Sequence, residues 1–137
     1  MHPGKDFSIK VSAQPDQIAL IRERVGERAR ELGADRRVVD DLRTVVSEAC
    51  NNVVLHAYPE RARERPLEIL LHQEQDGLQL IVRDRGQGLR PSHDDNSGGL
   101  RMGLLLVGAI SSHFQLRSRR GKGTELALSI PLQADSA

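Results

Sequence analysis

The sequence predicts an α+β fold, with a mostly antiparallel sheet and helices packed on one face. Three observations predict it. Helical patterns and hairpin patterns segregate along the chain instead of alternating one by one. Two strand-like runs meet at Asp76-Gly77, a strong short-range hairpin signal. Two amphipathic helical patterns near the N-terminus each carry an apolar stripe that a sheet can cover.

The elements follow in order. "DFSIKVSA" alternates Phe7, Ile9 and Val11 with polar neighbours, as a half-buried strand does. "PDQIALIRERVGERARELG" opens on Pro15 and Asp16 and closes on Gly33, so the spacing predicts a helix whose stripe is Ile18, Ile21, Val25, Ala29 and Leu32. Asp35 can cap a second helix that runs to about Tyr58, where Pro59 halts it. "PLEILLHQEQDGLQLIVRDRG" is the first hairpin, and "FQLRSRRGKGTELALSIPL" is a second with Gly121 and Gly123 at its turn. Between them, residues 85 to 99 have loop chemistry, and "LRMGLLLVGAISSHF" is apolar enough for a buried helix.

At 137 residues the chain reads as one domain, residues 1–137, able to bury roughly two-thirds of the surface its unfolded form exposes. Aromatics are scarce: Tyr58, Phe7 and Phe114, with no Trp, which argues against stacking platforms for single-stranded nucleic acid. Twenty Lys and Arg against 19 Asp and Glu leave a net charge of +1, so there is no whole-molecule field for nucleic acid or an anionic membrane. Cys50 is the only cysteine, which excludes an internal disulfide and a multi-cysteine metal site. The N-terminal stretch lacks a signal peptide's apolar region, and no apolar run approaches the roughly 20 residues a bilayer requires. A cytoplasmic protein is expected.

The second helix raises the functional question. Val38, Leu42, Val45, Val46, Ala49 and Val53 form one stripe on it. Glu48, Asn52 and His56 recur at i, i+4, each about 40° further round, so their ridge starts beside the stripe and drifts onto it. They can be a solvated carboxylate, an amide bonded to a loop and a satisfied core histidine. They can also line the seam between core and cleft. Downstream, "IVRDRGQGL" sets Asp84 at a strand end before Gly86 and Gly88. A carboxylate there can accept from an exocyclic amine, and the glycines let a flat ring approach the backbone. "NSGGLRMGLL" supplies Gly98, Gly99 and Gly103 ahead of a helix, whose free amides can bind phosphate oxygens. "GKGTELAL" has Thr124 entering a strand after a glycine turn. Each pattern alone also reads as ordinary turn chemistry; no Walker A loop or Rossmann turn is present.

Together and in this order, the four segments resemble the GHKL, or Bergerat-fold, ATPases with their HATPase_c domain. "SEACNN" is similar to the N box, "DRGQG" to the first glycine box, "GGLRMG" to the second and "GKGT" to the closing motif. The resemblance runs from Phe7 to about Leu132, and the helix "LRTVVSEACNNVVLHAY" is most similar to that of bacterial anti-sigma-factor serine/threonine kinases. It implies a two-layer α/β sandwich, with ATP and Mg²⁺ as cofactors. Carried onto this sequence, it implies Asn52 as the Mg²⁺ ligand, Glu48 as the general base on the incoming hydroxyl, and Asp84 as the partner of the adenine amino group. Gly86 and Gly88 would lie against the base, and Thr124 would support it. Gly99 and Gly103 would belong to the lid and the phosphate-binding helix start. The family has a Gly-x-Gly before that helix, and here Arg101 stands at its first position, where it can neutralise phosphate charge or crowd the backbone approach.

The resemblance further implies a homodimer and two protein partners, a STAS-type anti-anti-sigma protein to be phosphorylated and a sigma factor to be sequestered, without direct nucleic-acid or membrane contact. Two alternatives stand beside the kinase: a non-catalytic ATP-gated binding module, motivated by Arg101, and a stand-alone histidine-kinase-like ATPase domain.

Overall fold

The structure, a computed structural model, describes residues 6–87, 113–119 and 122–133. The described elements are β1 (Asp6–Ser12), α1 (Pro15–Glu31), α2 (Arg36–Asn52), a π-helical turn (Val53–Ala57), β2 (Pro66–Gln73), β3 (Gly77–Asp84), β4 (His113–Arg119) and β5 (Gly123–Pro131). The predicted helix over residues 100–114 lies mostly outside the described residues.

Local chemistry sets the helix ends. Pro15 occupies the first turn of α1, where its missing N–H costs nothing, and Gly33 past its end takes φ 101°, which a glycine adopts without strain. Asp35 caps α2 by accepting from the Val38 N–H at 2.9 Å. Its own N–H donates to the Leu132 carbonyl at 2.9 Å, which fixes the start of α2 to the segment after β5.

Among the described residues the sheet has five strands in the order β1-β2-β3-β5-β4, every neighbouring pair antiparallel. β5 sits between β3 and β4, so β3 is central, and its last residue, Asp84, pairs with Leu67 on one side and Thr124 on the other. That register brings the first glycine box beside the closing motif, although 39 positions separate Arg85 from Thr124 (124 − 85 = 39).

Alternate residues of each strand face the helices. Leu67, Ile69 and Leu71 of β2, Leu78, Leu80 and Val82 of β3, and Leu126, Leu128 and Ile130 of β5 are buried. Against them pack Ile21, Val25 and Ala29 of α1 and Val38, Leu42, Val45 and Val46 of α2. Each Leu, Ile or Val so buried contributes about 1.5–3 kcal/mol, so this layer carries most of the stability. The stripes predicted for α1 and α2 match this layer, with Ile18, Leu32 and Ala49 only partly buried at its margin.

Candidate functional site

The site forms where α2 and β3 end. α2 is regular as far as Asn52, and the backbone then widens into the π turn. Turns of this kind occur as single-turn insertions, often at functional sites. Widening reduces the rotation per residue, so residues beyond Asn52 leave the ridge that an unbroken helix would have continued. Glu48 and Asn52 keep half-buried positions one turn apart, whereas His56 is exposed. The expectation of a packed core histidine is therefore corrected.

Glu48 and Asn52 are both available for chemistry. The Asn52 Oδ1 is buried without a hydrogen-bond partner among the described residues. Such an atom costs roughly 1–3 kcal/mol unless something binds it. Glu48 has no hydrogen bond or ion pair among the described residues. Cys50, between them in sequence, is sealed in the core; burial pushes its thiol up to about 12, so it stays protonated and inert.

At the end of β3, Asp84 is the one buried charged residue among the described residues, 8% exposed. The Gly86 N–H donates to its Oδ1 at 2.9 Å, and the Thr124 amide donates to it as well. Burial nonetheless raises its carboxyl above 3.8, with those amides opposing the shift. No cationic side chain pairs with it among the described residues. The carboxylate can therefore accept from an outside donor.

Glycines let the backbone pack closely beside it. A Cβ on Gly86 would overlap the Ala57 carbonyl oxygen, and one on Gly123, at φ 98°, would overlap the Asp84 carbonyl oxygen. The segment after Asp84 is thus seated on the end of the π turn, where the Gln87 N–H also donates to the Ala57 carbonyl at 2.8 Å. Thr124 is half-buried, its hydroxyl 3.4 Å from that of Ser118.

Of the residues expected in the site, Glu48, Asn52, Asp84, Gly86 and Thr124 are described, and Asp84, Gly86 and Thr124 are in direct contact through their hydrogen bonds. Gly88, Gly99, Arg101 and Gly103 lie outside the described residues. Sequence reasoning missed Tyr58, whose hydroxyl joins the site's two halves. Its signal was a lone tyrosine immediately before the proline that stops the helix.

A groove of about 900 Å³ runs along the opposite side of the strand ends, past Lys10, Glu68, Arg83 and Glu125. It touches Asp84, Gly123 and Thr124 but neither Glu48 nor Asn52. Because Arg83 and Asp84 point to opposite faces of β3, this groove is separate from the seam on which Glu48 and Asn52 stand.

Known proteins match this chain in sequence and in fold. Residues 11–130 match the family model described as a histidine kinase-like ATPase domain. The chain is similar to a serine-protein kinase RsbW of Halalkalibacterium halodurans, with 28% identity covering 98% of this chain and 88% of the relative. It is similar also to a serine-protein kinase RsbW of Bacillus subtilis, with 30% identity covering 84% of this chain and 79% of the relative. Among solved structures, the RsbU and RsbW domains of Rv1364c from Mycobacterium tuberculosis superpose with a TM-score of 0.70 at 22% identity, over 96% of this chain and 35% of that one. The histidine kinase domain of the Erythrobacter litoralis EL346 blue-light activated histidine kinase superposes with a TM-score of 0.60 at 20% identity, over 84% of this chain and 61% of that one. These two likenesses establish the Bergerat-type fold. With the family model spanning the core from β1 to β5, the chain belongs to the histidine kinase-like ATPase domain family.

Proposed function

We propose that this chain is an ATP-dependent protein serine/threonine kinase of the anti-sigma type, and that Glu48, Asn52 and Asp84 divide its work. The observation that carries this reading is the pair on α2: a buried amide oxygen at Asn52 one turn from a carboxylate at Glu48, neither with a partner among the described residues. The names of the relatives, serine-protein kinases, support it.

The residues fit the cofactors the family implies. Asn52 offers Mg²⁺ a hard oxygen ligand. Mg²⁺ is commonly held by one or two protein oxygens, with phosphates and water supplying the rest. Asp84 accepts from the 6-amino group of adenine with the lone pairs its amide partners leave free, and Gly86 and Gly123 let the backbone pack closely enough to hold that carboxylate in place. Bound ATP supplies the phosphoryl group, and Mg²⁺ offsets its charge. Glu48 would take the proton of the attacking hydroxyl as that oxygen accepts the phosphoryl group and ADP leaves.

The substrate and partner follow from the family resemblance: a STAS-type anti-anti-sigma protein as phosphoacceptor and a sigma factor held in the alternative complex, with nucleotide state selecting between them through differential affinity. A homodimer belongs to the same reading. Arg101 favours a second reading, a nucleotide-gated binding module that sequesters without phosphorylating.

Single-turnover transfer from ATP to a purified partner decides between them. Wild type should transfer phosphate in a Mg²⁺-dependent reaction, and Glu48→Ala should slow transfer about a hundred- to ten-thousandfold with nucleotide affinity retained. An unimpaired Glu48→Ala variant would remove the general-base role. Nucleotide binding without transfer in wild type would leave the binding module as the function.

A further inference from the structure

We propose that the Tyr58 hydroxyl is a positioning group for the base end of the site, holding the segment after Asp84 at a set distance from the helix that carries Glu48 and Asn52. The proposal rests on the nucleotide reading above. Its starting point is the register of β2 against β3. Leu67 pairs with Asp84, so the next rung would join Pro66 to Arg85. The Tyr58 hydroxyl stands there instead, donating to the Pro66 carbonyl and accepting from the Arg85 N–H at 2.8 Å.

A direct backbone rung would carry β3 onward alongside β2. With a hydroxyl inserted, the strands part while both backbone groups stay satisfied, and the chain turns out of the sheet at the residue where the site begins. The next contacts come from the same source. The Gln87 N–H donates to the Ala57 carbonyl at 2.8 Å, and Gly86 lies too close to that carbonyl for a side chain. Residues 85–87 therefore take their position from residues 57–58. Residues 57–58 in turn end the π turn that begins next to Asn52.

The path closes on the carboxylate. Gly86, seated on Ala57, donates to Asp84 Oδ1 at 2.9 Å and so orients the acceptor. A run of backbone and hydroxyl contacts thus joins Asn52 at one end of the site to Asp84 at the other. Packing alone does not call for a hydroxyl, since phenylalanine would fill the same space. Burial, its largest effect, raises the Tyr58 phenol above 10.0, which keeps it protonated and able to donate at neutral pH.

Tyr58→Phe tests the role because it removes the hydroxyl and keeps the ring. Tyr58 is the only tyrosine and the chain has no tryptophan, so loss of the phenolate absorbance step at high pH verifies the variant in the full chain. Hydrogen exchange at the Arg85 and Gln87 amides of the nucleotide-free protein should accelerate about tenfold, with the thermal midpoint little changed. Calorimetry should show ATP affinity down about tenfold and GTP affinity unchanged, so that preference for adenine is what is lost. Wild-type exchange together with wild-type ATP affinity would overturn the positioning role, and so would equal weakening of ATP and GTP. A wild-type chain that binds neither nucleotide would overturn the nucleotide reading itself and the base-site role with it. Wild-type binding that Tyr58→Phe leaves intact would overturn the positioning role alone.

Discussion

Arg83 and Asp84 are neighbours on β3 and point to opposite faces of the sheet, and their surroundings differ in kind. On the open face, register aligns Lys10, Glu68, Arg83, Glu125 and Arg117 in one row across all five strands, alternating in sign. Arg83 reaches Glu125 at 2.5 Å and Glu68 at 3.5 Å, and Lys10 reaches Glu68 at 3.9 Å. Each carboxylate there has a cation. On the covered face, Asp84 is buried among Leu67, Val82 and Leu126 positions, and its partners among the described residues are amide N–H groups. A charge satisfied by its cross-strand neighbours serves the sheet, whereas one buried without a counter-charge costs stability and is a candidate for binding.

Asp84→Asn breaks that comparison most sharply. Nucleotide affinity should fall about ten- to a hundredfold, since the amide presents a donor where adenine presents one. Stability at neutral pH should hold or rise. The sign follows from the raised folded-state pKa: the unfolded carboxyl ionises first, so ionised Asp84 subtracts stability as pH rises from below 3.8 through its raised value. Denaturant unfolding across that window should show the decline in wild type and lose it in the variant. ATP affinity of the wild type should fall over the same window as pH is lowered and the acceptor protonates.

Gly123→Ala should have the next largest effect, through the backbone. At φ 98°, with the Asp84 carbonyl where a Cβ would go, alanine should cost about 1–2 kcal/mol in stability and displace the Thr124 amide from Asp84. Chemical denaturation measures the first, and ATP calorimetry on the folded variant the second. Retained stability would mean that β5 can shift without disturbing Asp84.

These sites differ in how far the sequence disclosed them. Helix ends were legible because their chemistry is local: Pro15, Gly33 and the Asp35 cap act within a turn of themselves. The first hairpin was legible at Asp76-Gly77, although Gly77 is needed also because a Cβ there would overlap the Ile130 carbonyl of β5. Glu48, Asn52 and Asp84 stood out as polar residues against apolar patterns, and the order of the four motifs gave them meaning. The π turn was not legible: "VVLHA" contains neither glycine nor proline, and a continuous helix to Tyr58 was expected. Its widening accompanies contacts to residues 85–87, some thirty positions away in sequence (87 − 57 = 30). Insertion of β5 between β3 and β4 is equally non-local, since periodicity reports which face a residue takes and never which strand lies beside it.

Glu125→Gln should have the smallest effect and tests the open face. It removes the shorter of the two ion pairs of Arg83 and leaves Glu68 in place at 3.5 Å. The Arg83 side chain is 42% exposed and that of Glu125 32%, so solvent screens the pair. The expected loss is about 0.5 kcal/mol at low salt, shrinking as ionic strength rises. ATP affinity should not move, because Glu125 faces away from the layer that holds Glu48, Asn52 and Asp84. If Glu125→Gln instead weakened ATP as much as Asp84→Asn does, charge on the open face would be acting through the strand on the site. The division of labour between the faces would then fail at β3 itself, where consecutive residues would no longer be independent.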